Sequence, residues 1–209
     1  MRVRILRLAA ILVALFLLAA GSASARNLSL DDRDIAMRWA RLSFISSFEE
    51  LISVSCTINM IGSFHASTFA KSAGSLVGIN ALSQLPTNCA GGTATVPLAS
   101  MPWHLTYDSF AGSLPSIAAV RLNLIGFTAL LRREFFGCEL DSTTLEPVPI
   151  DLGITGGVIT SATIDPDAVI NAGDLGEETL CDAAGITWTM SGTAAVEDGS
   201  RGTVAITLT

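Results

Sequence analysis

Apolar and polar residues alternate along much of this chain, and a period of two indicates half-buried β-strands. Every second residue from Ile52 to Met60 is apolar, and Cys56 falls on that apolar face. An earlier alternation from Ile35 to Phe44 changes phase near Ala40-Arg41, which indicates a β-bulge. The pattern therefore predicts two strands near the start of the domain and places Cys56 against the core.

Further segments show alternation or the Val, Ile and Thr enrichment of strands. They are Leu76–Leu85, Trp103–Phe110, Val120–Leu131, Ile154–Ile164, Ile186–Val196 and Thr203–Thr209. We count about nine or ten short strands and no amphipathic helix of ordinary length. This spacing predicts an all-β fold, a single antiparallel β-sandwich or partly open barrel, and excludes a parallel βαβ architecture.

Proline, glycine and polar clusters predict the connections between these strands. The predicted turns and loops are Phe48-Glu49-Glu50, Pro86-Thr87-Asn88, Arg132-Arg133-Glu134, Pro147 to Pro149, Asp165-Pro166-Asp167, Asn171–Glu178 and a hairpin-like link at Glu197–Ser200.

The first 25 residues have the features of a secretory signal peptide. Three arginines precede an apolar run, Leu8–Ala20, and Ala23-Ser24-Ala25 supplies the small residues of a cleavage site. An uncleaved anchor is the alternative, but the run is shorter than the roughly 20 residues that span a bilayer. We therefore expect residues 26–209 to form one secreted domain, extracellular or cell-surface associated, with no integral membrane segment after cleavage.

The mature domain is strongly acidic. The whole chain has a net charge of −7, and loss of the three leader arginines leaves 9 basic against 19 acidic residues, a net charge of −10. Nucleic-acid binding depends on basic patches, so we exclude a nucleic-acid partner.

Four cysteines lie in the mature domain, and an even number in an exported chain predicts two disulfides. The sequence leaves three pairings open. Sequential pairing, Cys56–Cys89 with Cys138–Cys181, closes the shortest loops and is our prediction. A zinc site is disfavoured because no two cysteines have the close spacing of a zinc knuckle.

The segment from Asn88 to Pro115 concentrates the unusual residues of the chain. Trp103, Leu105 and Tyr107 share one face of a predicted strand, and His104 lies on the other. The alternation favours Trp103 as a core residue packed near a disulfide. The alternative is a binding platform in which Trp103 and Tyr107 contact a carbohydrate or an apolar ligand.

Catalytic chemistry has little support in the sequence. His65 and His104 are the only histidines, and no Gly-x-Ser-x-Gly motif is present. Carboxylates near Asp31 and Asp165 are a calcium alternative, but their spacing does not match a calcium loop and turn chemistry explains them. Paired glycosidase carboxylates stay open, because their pairing is spatial. We predict no enzyme, no cofactor and no metal.

A set of short motifs covers most of the mature domain. It comprises Cys56, Gly62-Ser63-Phe64, Ala73-Gly74-Ser75, Cys89-Ala90-Gly91-Gly92, Met101-Pro102-Trp103, the stretch Ser109–Pro115, and Cys181 before a glycine-containing strand. This order resembles a group of uncharacterised secreted bacterial proteins with a Leu-Pro-Trp motif. More distantly, it is similar to small exported proteins known as alkane oxidation protein activators. Met101 replaces the usual leucine, and Cys138-Glu139-Leu140 departs from the Cys-Leu-Tyr of the group. The resemblance implies export, a β fold and a surface-associated role, and it implies no active site.

These observations lead to two functional hypotheses and a weaker third. The first is a non-enzymatic secreted or cell-surface protein with a structural, adhesive or matrix role, able to self-associate through an unpaired C-terminal strand. The second is an extracellular binding module that uses Trp103 and Tyr107. The third is a secreted hydrolase, which requires His65 or His104 to face an acidic or serine side chain across a cleft.

Overall fold

A computed structural model describes residues 27–48, 52–113, 116–133, 136–175, 181, 186–200 and 202–208. These ranges contain fifteen β-strands and one short 3-10 helix at Leu98–Ser100. The strands are β1 Asn27–Leu30, β2 Asp34–Ser46, β3 Ser53–Phe64, β4 Thr68–Ala70, β5 Leu76–Ala90, β6 Thr93–Thr95, β7 Trp103–Ser113, β8 Ser116–Ile125, β9 Thr128–Arg133, β10 Phe136–Asp141, β11 Val148–Thr155, β12 Val158–Ile164, β13 Val169–Asp174, β14 Trp188–Asp198 and β15 Val204–Leu208. The prediction of an antiparallel all-β fold is confirmed, with more strands than expected. The signal peptide and the boundary at residue 26 lie outside the described residues.

Eight strands form a closed ring of antiparallel pairings. Their order is β2, β3, β5, β7, β8, β11, β12 and β14, and β14 returns to β2. Strand β12 closes the ring because one of its edges pairs with β11, while the other is shared by β15 at Val158–Ile159 and by β14 at 161–164. The ring is filled with apolar side chains, including the fully buried Trp39 and Trp188.

A smaller sheet is joined to the ring through two residue pairs between β13 and β14. Its order is β13, β10, β9 and β6. Its buried residues include Leu131 and Leu140, which belong to the same apolar cluster as the ring interior. Phe127, just before β9, contacts the rings of Phe44 and Trp103, so the small sheet shares one core with the ring.

The C-terminal strand is not an open edge, and the prediction that it is unpaired is wrong. Strand β15 pairs with β1 through 28–30 on one side and with β12 on the other. The outer strands of the whole arrangement are β4 and β6, with three residues each. Short outer strands offer few unpaired backbone groups, which disfavours edge-to-edge association.

The bulge predicted near Ala40-Arg41 is present. The pairing of β2 with β3 shifts register between Trp39 and Leu42, and the pairing of β2 with β14 shifts at the same place. One extra residue here restores the inward phase, so Trp39 and Leu42 are both fully buried.

Several predicted connections are strands, and those predictions are wrong. Pro86-Thr87-Asn88 lies within β5, Pro149 within β11, and residues 171–174 within β13. Strand β5 accommodates its turn-forming residues through three register shifts against β3 and a positive φ of 50° at Asn88. At these positions, pairing with distant strands outweighs the local preference of the residues for turns. At the predicted hairpin-like link between β14 and β15, the Asp198 N–H donates to the Gly202 carbonyl oxygen at 3.1 Å, and beyond this link each strand pairs with other strands.

Both predicted disulfides are confirmed. Cys56–Cys89 links β3 to β5, and Cys138–Cys181 links β10 to the segment after β13. The first bond lies where the β3–β5 pairing is most irregular, and the second fastens Cys181 to the small sheet.

Candidate functional site

The two aromatic residues predicted as a binding platform lie in the core. Trp103 has 0% of its surface exposed and Tyr107 has 3%. The indole of Trp103 packs against Phe127, and its Nε1 donates to Ser100 Oγ at 3.4 Å. Burial raises the pKa of Tyr107 above its ordinary value, and the Asp108 carboxylate adds to this. Neither side chain presents a face that a ligand can stack on, so their positions favour the core interpretation.

Among the described residues, neither histidine side chain has a hydrogen bond or ion pair with an acidic or serine side chain. His104 is exposed on the outer face of β7, as the alternation predicts, and its cross-strand neighbours are Ile79 and Ile125. His65 lies in an exposed bend after β3. This environment gives the hydrolase hypothesis no support.

The acidic clusters are engaged in turns. Asp31 Oδ1 accepts from the backbone N–H groups of Asp32 and Ala205, and Asp165 Oδ1 accepts from that of Asp167. Within the described ranges, no group of three His, Cys, Asp or Glu side chains is arranged to hold a metal ion. The carboxylates therefore act as caps of backbone turns.

A concave surface lies on the outer face of β2, β3 and β5, a region that the sequence did not single out. Cross-strand pairing arranges its outward residues in three rows, Asp34-Ser63-Ile79, Ala36-Ile61-Ala81 and Arg38-Asn59-Gln84. Two adjoining cavities of about 410 and 330 Å³ lie along these rows and share Ile61 and Gly199. We call this surface, with Asp198 and Gly199 at its rim, the outer groove.

The floor of the outer groove is apolar. Ile61 is 49% exposed, and Ile79 and Ala81 are half-buried beside it. Gly62 lies in the inward phase of β3 beside this floor, and an added Cβ there would come within 3.1 Å of the buried Ile35 side chain and 3.2 Å of the Ile79 carbonyl oxygen, so the position is too tight for a larger residue. An isoleucine with half of its surface in water is costly to leave uncovered, by about 1 kcal/mol.

Among the described residues, the rim of the outer groove carries more negative than positive charge. Arg38 forms an ion pair with Glu197 at 3.3 Å, and the carboxylates of Asp34 and Asp198 add two further negative charges. Asp198 Oδ1 accepts from the N–H of Gly202 and from the N–H and Oγ–H of Ser200. These hydrogen bonds, that from Gly202 first, lower the pKa of Asp198 and fix the turn that overhangs the groove.

The outer groove could not be predicted, because the alternation of apolar and polar residues describes one strand at a time and does not show which strands are neighbours. Ile61 directly follows Met60, so two adjacent apolar residues interrupt the alternation, and Ile79 lies beside the buried Asn80. The signal in the sequence was an apolar residue at a position that the alternation assigns to the outer face of the strand. That Ile61 and Ile79 lie on neighbouring strands depends on the β3–β5 register, which the sequence does not show.

A second concave surface carries positive charge. Gly91, Gly92, Thr93, Arg132 and Arg133 line an open depression of about 440 Å³ where β6 pairs with β9. Two adjacent arginines beside an outer strand are also a common protection of a sheet edge, which explains them without a ligand.

Comparisons of the chain with protein-family models, with curated proteins and with solved structures find no match. Among the described residues, no helix has the length and apolar character needed to cross a membrane. The described residues form a closed antiparallel β structure with two disulfides and an apolar groove on its outer face.

Proposed function

We propose that this chain is a non-enzymatic secreted or cell-surface protein with a structural, adhesive or matrix role. The observation that carries the proposal is the combination of a closed ring with two disulfides around one buried core. Disulfides persist in oxidising compartments, and closing a sheet into a ring reduces its free edges. A body of this kind withstands exposure outside the cell and can present its outer face to a partner.

The placement of the chemistry-bearing residues supports a role without catalysis. The three tryptophans lie in the core, and both histidines lie outside the grooved face formed by β2, β3 and β5. The resemblance to secreted four-cysteine proteins points in the same direction, because it implies export and a surface-associated role.

Export is tested by expressing residues 1–209 with a C-terminal epitope tag in a bacterial host and fractionating the culture. We expect a product outside the cytoplasm that lacks residues 1–25 and reacts with a thiol-specific maleimide only after reduction and denaturation. A cytoplasmic product with four reactive thiols would contradict the proposal.

The proposal that the protein has no enzymatic activity is tested by a separate measurement. The purified protein is assayed on ester, peptide and glycoside substrates beside a double variant, His65→Ala with His104→Ala. Turnover that the double variant lacks would establish a hydrolase instead.

An extracellular binding module for an apolar ligand is the second candidate. The outer groove favours it, whereas the buried Trp103 and Tyr107 do not. A carbohydrate is the less favoured ligand, because none of the described residues that line the groove is aromatic and sugar rings stack on aromatic faces.

A further inference from the structure

We infer that the outer groove binds a basic, apolar peptide segment of a partner protein. This inference rests on the proposed adhesive role and names the surface and the partner chemistry through which that role is exerted. Its two supports are the exposed apolar floor and the acidic rim described above.

The backbone of the groove floor limits how a partner can be recognised. Strand β2 pairs with β14 and β3, β3 pairs with β2 and β5, and β5 pairs with β7 from Leu76 to Asn80, so the strands beside Ile61 and Ile79 have partners on both edges. Addition of a further strand is therefore closed here, and recognition must come from side chains. Ile61 and Ile79 offer contact to an apolar side chain, since they stand on adjacent rows of neighbouring strands.

The charges of the rim determine whether a positively or a negatively charged partner is favoured. Arg38 is neutralised by Glu197, whereas the described ion pairs include none to Asp34. Asp198 accepts its hydrogen bonds through Oδ1, and the pKa of this carboxyl is lowered, so it stays ionised at neutral pH. Among the described residues of the rim, three carboxylates and one arginine give the groove two net negative charges within a domain of net charge −10. A cationic segment gains from this field and an anionic one is repelled.

Matched model peptides test the inference on the purified mature protein with its disulfides intact. The probes are acetyl-Lys-Leu-Lys-Leu-Lys-amide, its Glu-Leu and Ser-Leu counterparts, and a Lys-Ser counterpart without apolar side chains. Binding is measured by NMR titration of backbone amides at low and at moderate salt. We expect the Lys-Leu peptide to bind most tightly, with shifts at Ile61 and Ile79 and weaker binding at higher salt.

Groove variants then separate the apolar contribution from the charge. Ile61→Ser should weaken binding about tenfold, because it removes a half-exposed apolar side chain that the ligand covers. Ala81→Lys should weaken it at least as much by adding a like charge. Asp34→Asn should weaken it severalfold at low salt and flatten the salt dependence. The controls are Ile45→Ser, which changes an exposed isoleucine of β2, and Asp167→Asn, both outside the groove lining. Neither control should change the affinity.

The inference is overturned if the Lys-Leu peptide does not bind, if the Glu-Leu or Ser-Leu peptide binds as tightly, or if Ile61→Ser and Ala81→Lys leave the affinity unchanged. It is also overturned if maltose displaces the peptide, or if ultracentrifugation shows a dimer that Ile61→Ser dissociates. Failure here leaves the export and thiol results of the proposed function intact, so the two failures are distinguishable.

Discussion

The indole of Trp103 lies against the ring of Phe127, with centroids 4.8 Å apart and planes inclined at 60°. Phe127 also stacks on Phe44 at 6.3 Å, so a single side chain contacts β7 and β2 of the ring just before β9 of the small sheet begins. Tilted aromatic pairs at these distances contribute beyond the area that they bury. Phe127 is thus a main apolar link between the two sheets.

Truncation of this link should be among the most destabilising changes in the chain. Phe127→Ala is expected to lower the free energy of unfolding by about 3–5 kcal/mol, because it opens a cavity between fully buried rings. Urea unfolding followed by tryptophan fluorescence measures it. As a control, Phe110→Ala removes a half-buried ring beneath Lys71 and should cost about 1 kcal/mol. Equal losses of unfolding free energy in Phe127→Ala and Phe110→Ala would contradict the conclusion that Phe127 is a main apolar link between the two sheets.

Each disulfide should stabilise the fold to a similar extent. The bonds span 33 and 43 residues, for which the chain-entropy model predicts about 4 kcal/mol each. Replacing both cysteines of one pair by alanine avoids burying a hydroxyl at Cys56 or Cys138 and should lower the guanidinium midpoint in both variants. A midpoint equal to that of the parent protein in either variant would show that its bond constrains little.

Gly91 should not tolerate a side chain. Its φ is +83°, and an added Cβ would collide with the Ser53 carbonyl oxygen. We expect Gly91→Ala to destabilise the protein by several kcal/mol or to prevent folding, since backbone must move to relieve the contact. The control is Gly173→Ala, where no atom lies within 4 Å and φ is not positive, and its effect should be within about 1 kcal/mol. The comparison is made by thermal unfolding.

Asp198 should make stability depend on acid pH. Its pKa is lowered in the folded protein by hydrogen bonds from Gly202 and Ser200, so its contribution is fully present above the unfolded pKa of about 3.8 and is lost as pH falls through the folded value. Between pH 6 and pH 2.5, the melting temperature of Asp198→Asn should therefore fall less than that of the parent protein. Ser200→Ala, which keeps the carboxylate and removes its hydroxyl donor, should fall between the two. An identical pH profile in all three proteins would exclude this linkage.

Short-range pattern was sufficient for the class of fold and for the inward face of most strands. The alternation at Trp103, Leu105 and Tyr107 placed these residues in the core, and the phase change at Ala40-Arg41 located the bulge. Both succeed because the side-chain period of a strand is a local property of the backbone. The disulfide pairing was also predicted, since the shortest loops bring together β3 with β5, and β10 with the segment after β13.

Pairing between distant strands decided the rest. Closure of the ring depends on β12 meeting β14, about thirty residues later, and the C-terminal strand is buried between β1 and β12 rather than left as an edge. The outer groove exists because the register of β3 and β5 sets Ile61 beside Ala81 and Ile79 beside Ser63. The register between two strands is set by how well their whole faces fit together and by bulges. The sequence of a single strand does not contain this information. The groove could therefore be identified only in the folded chain.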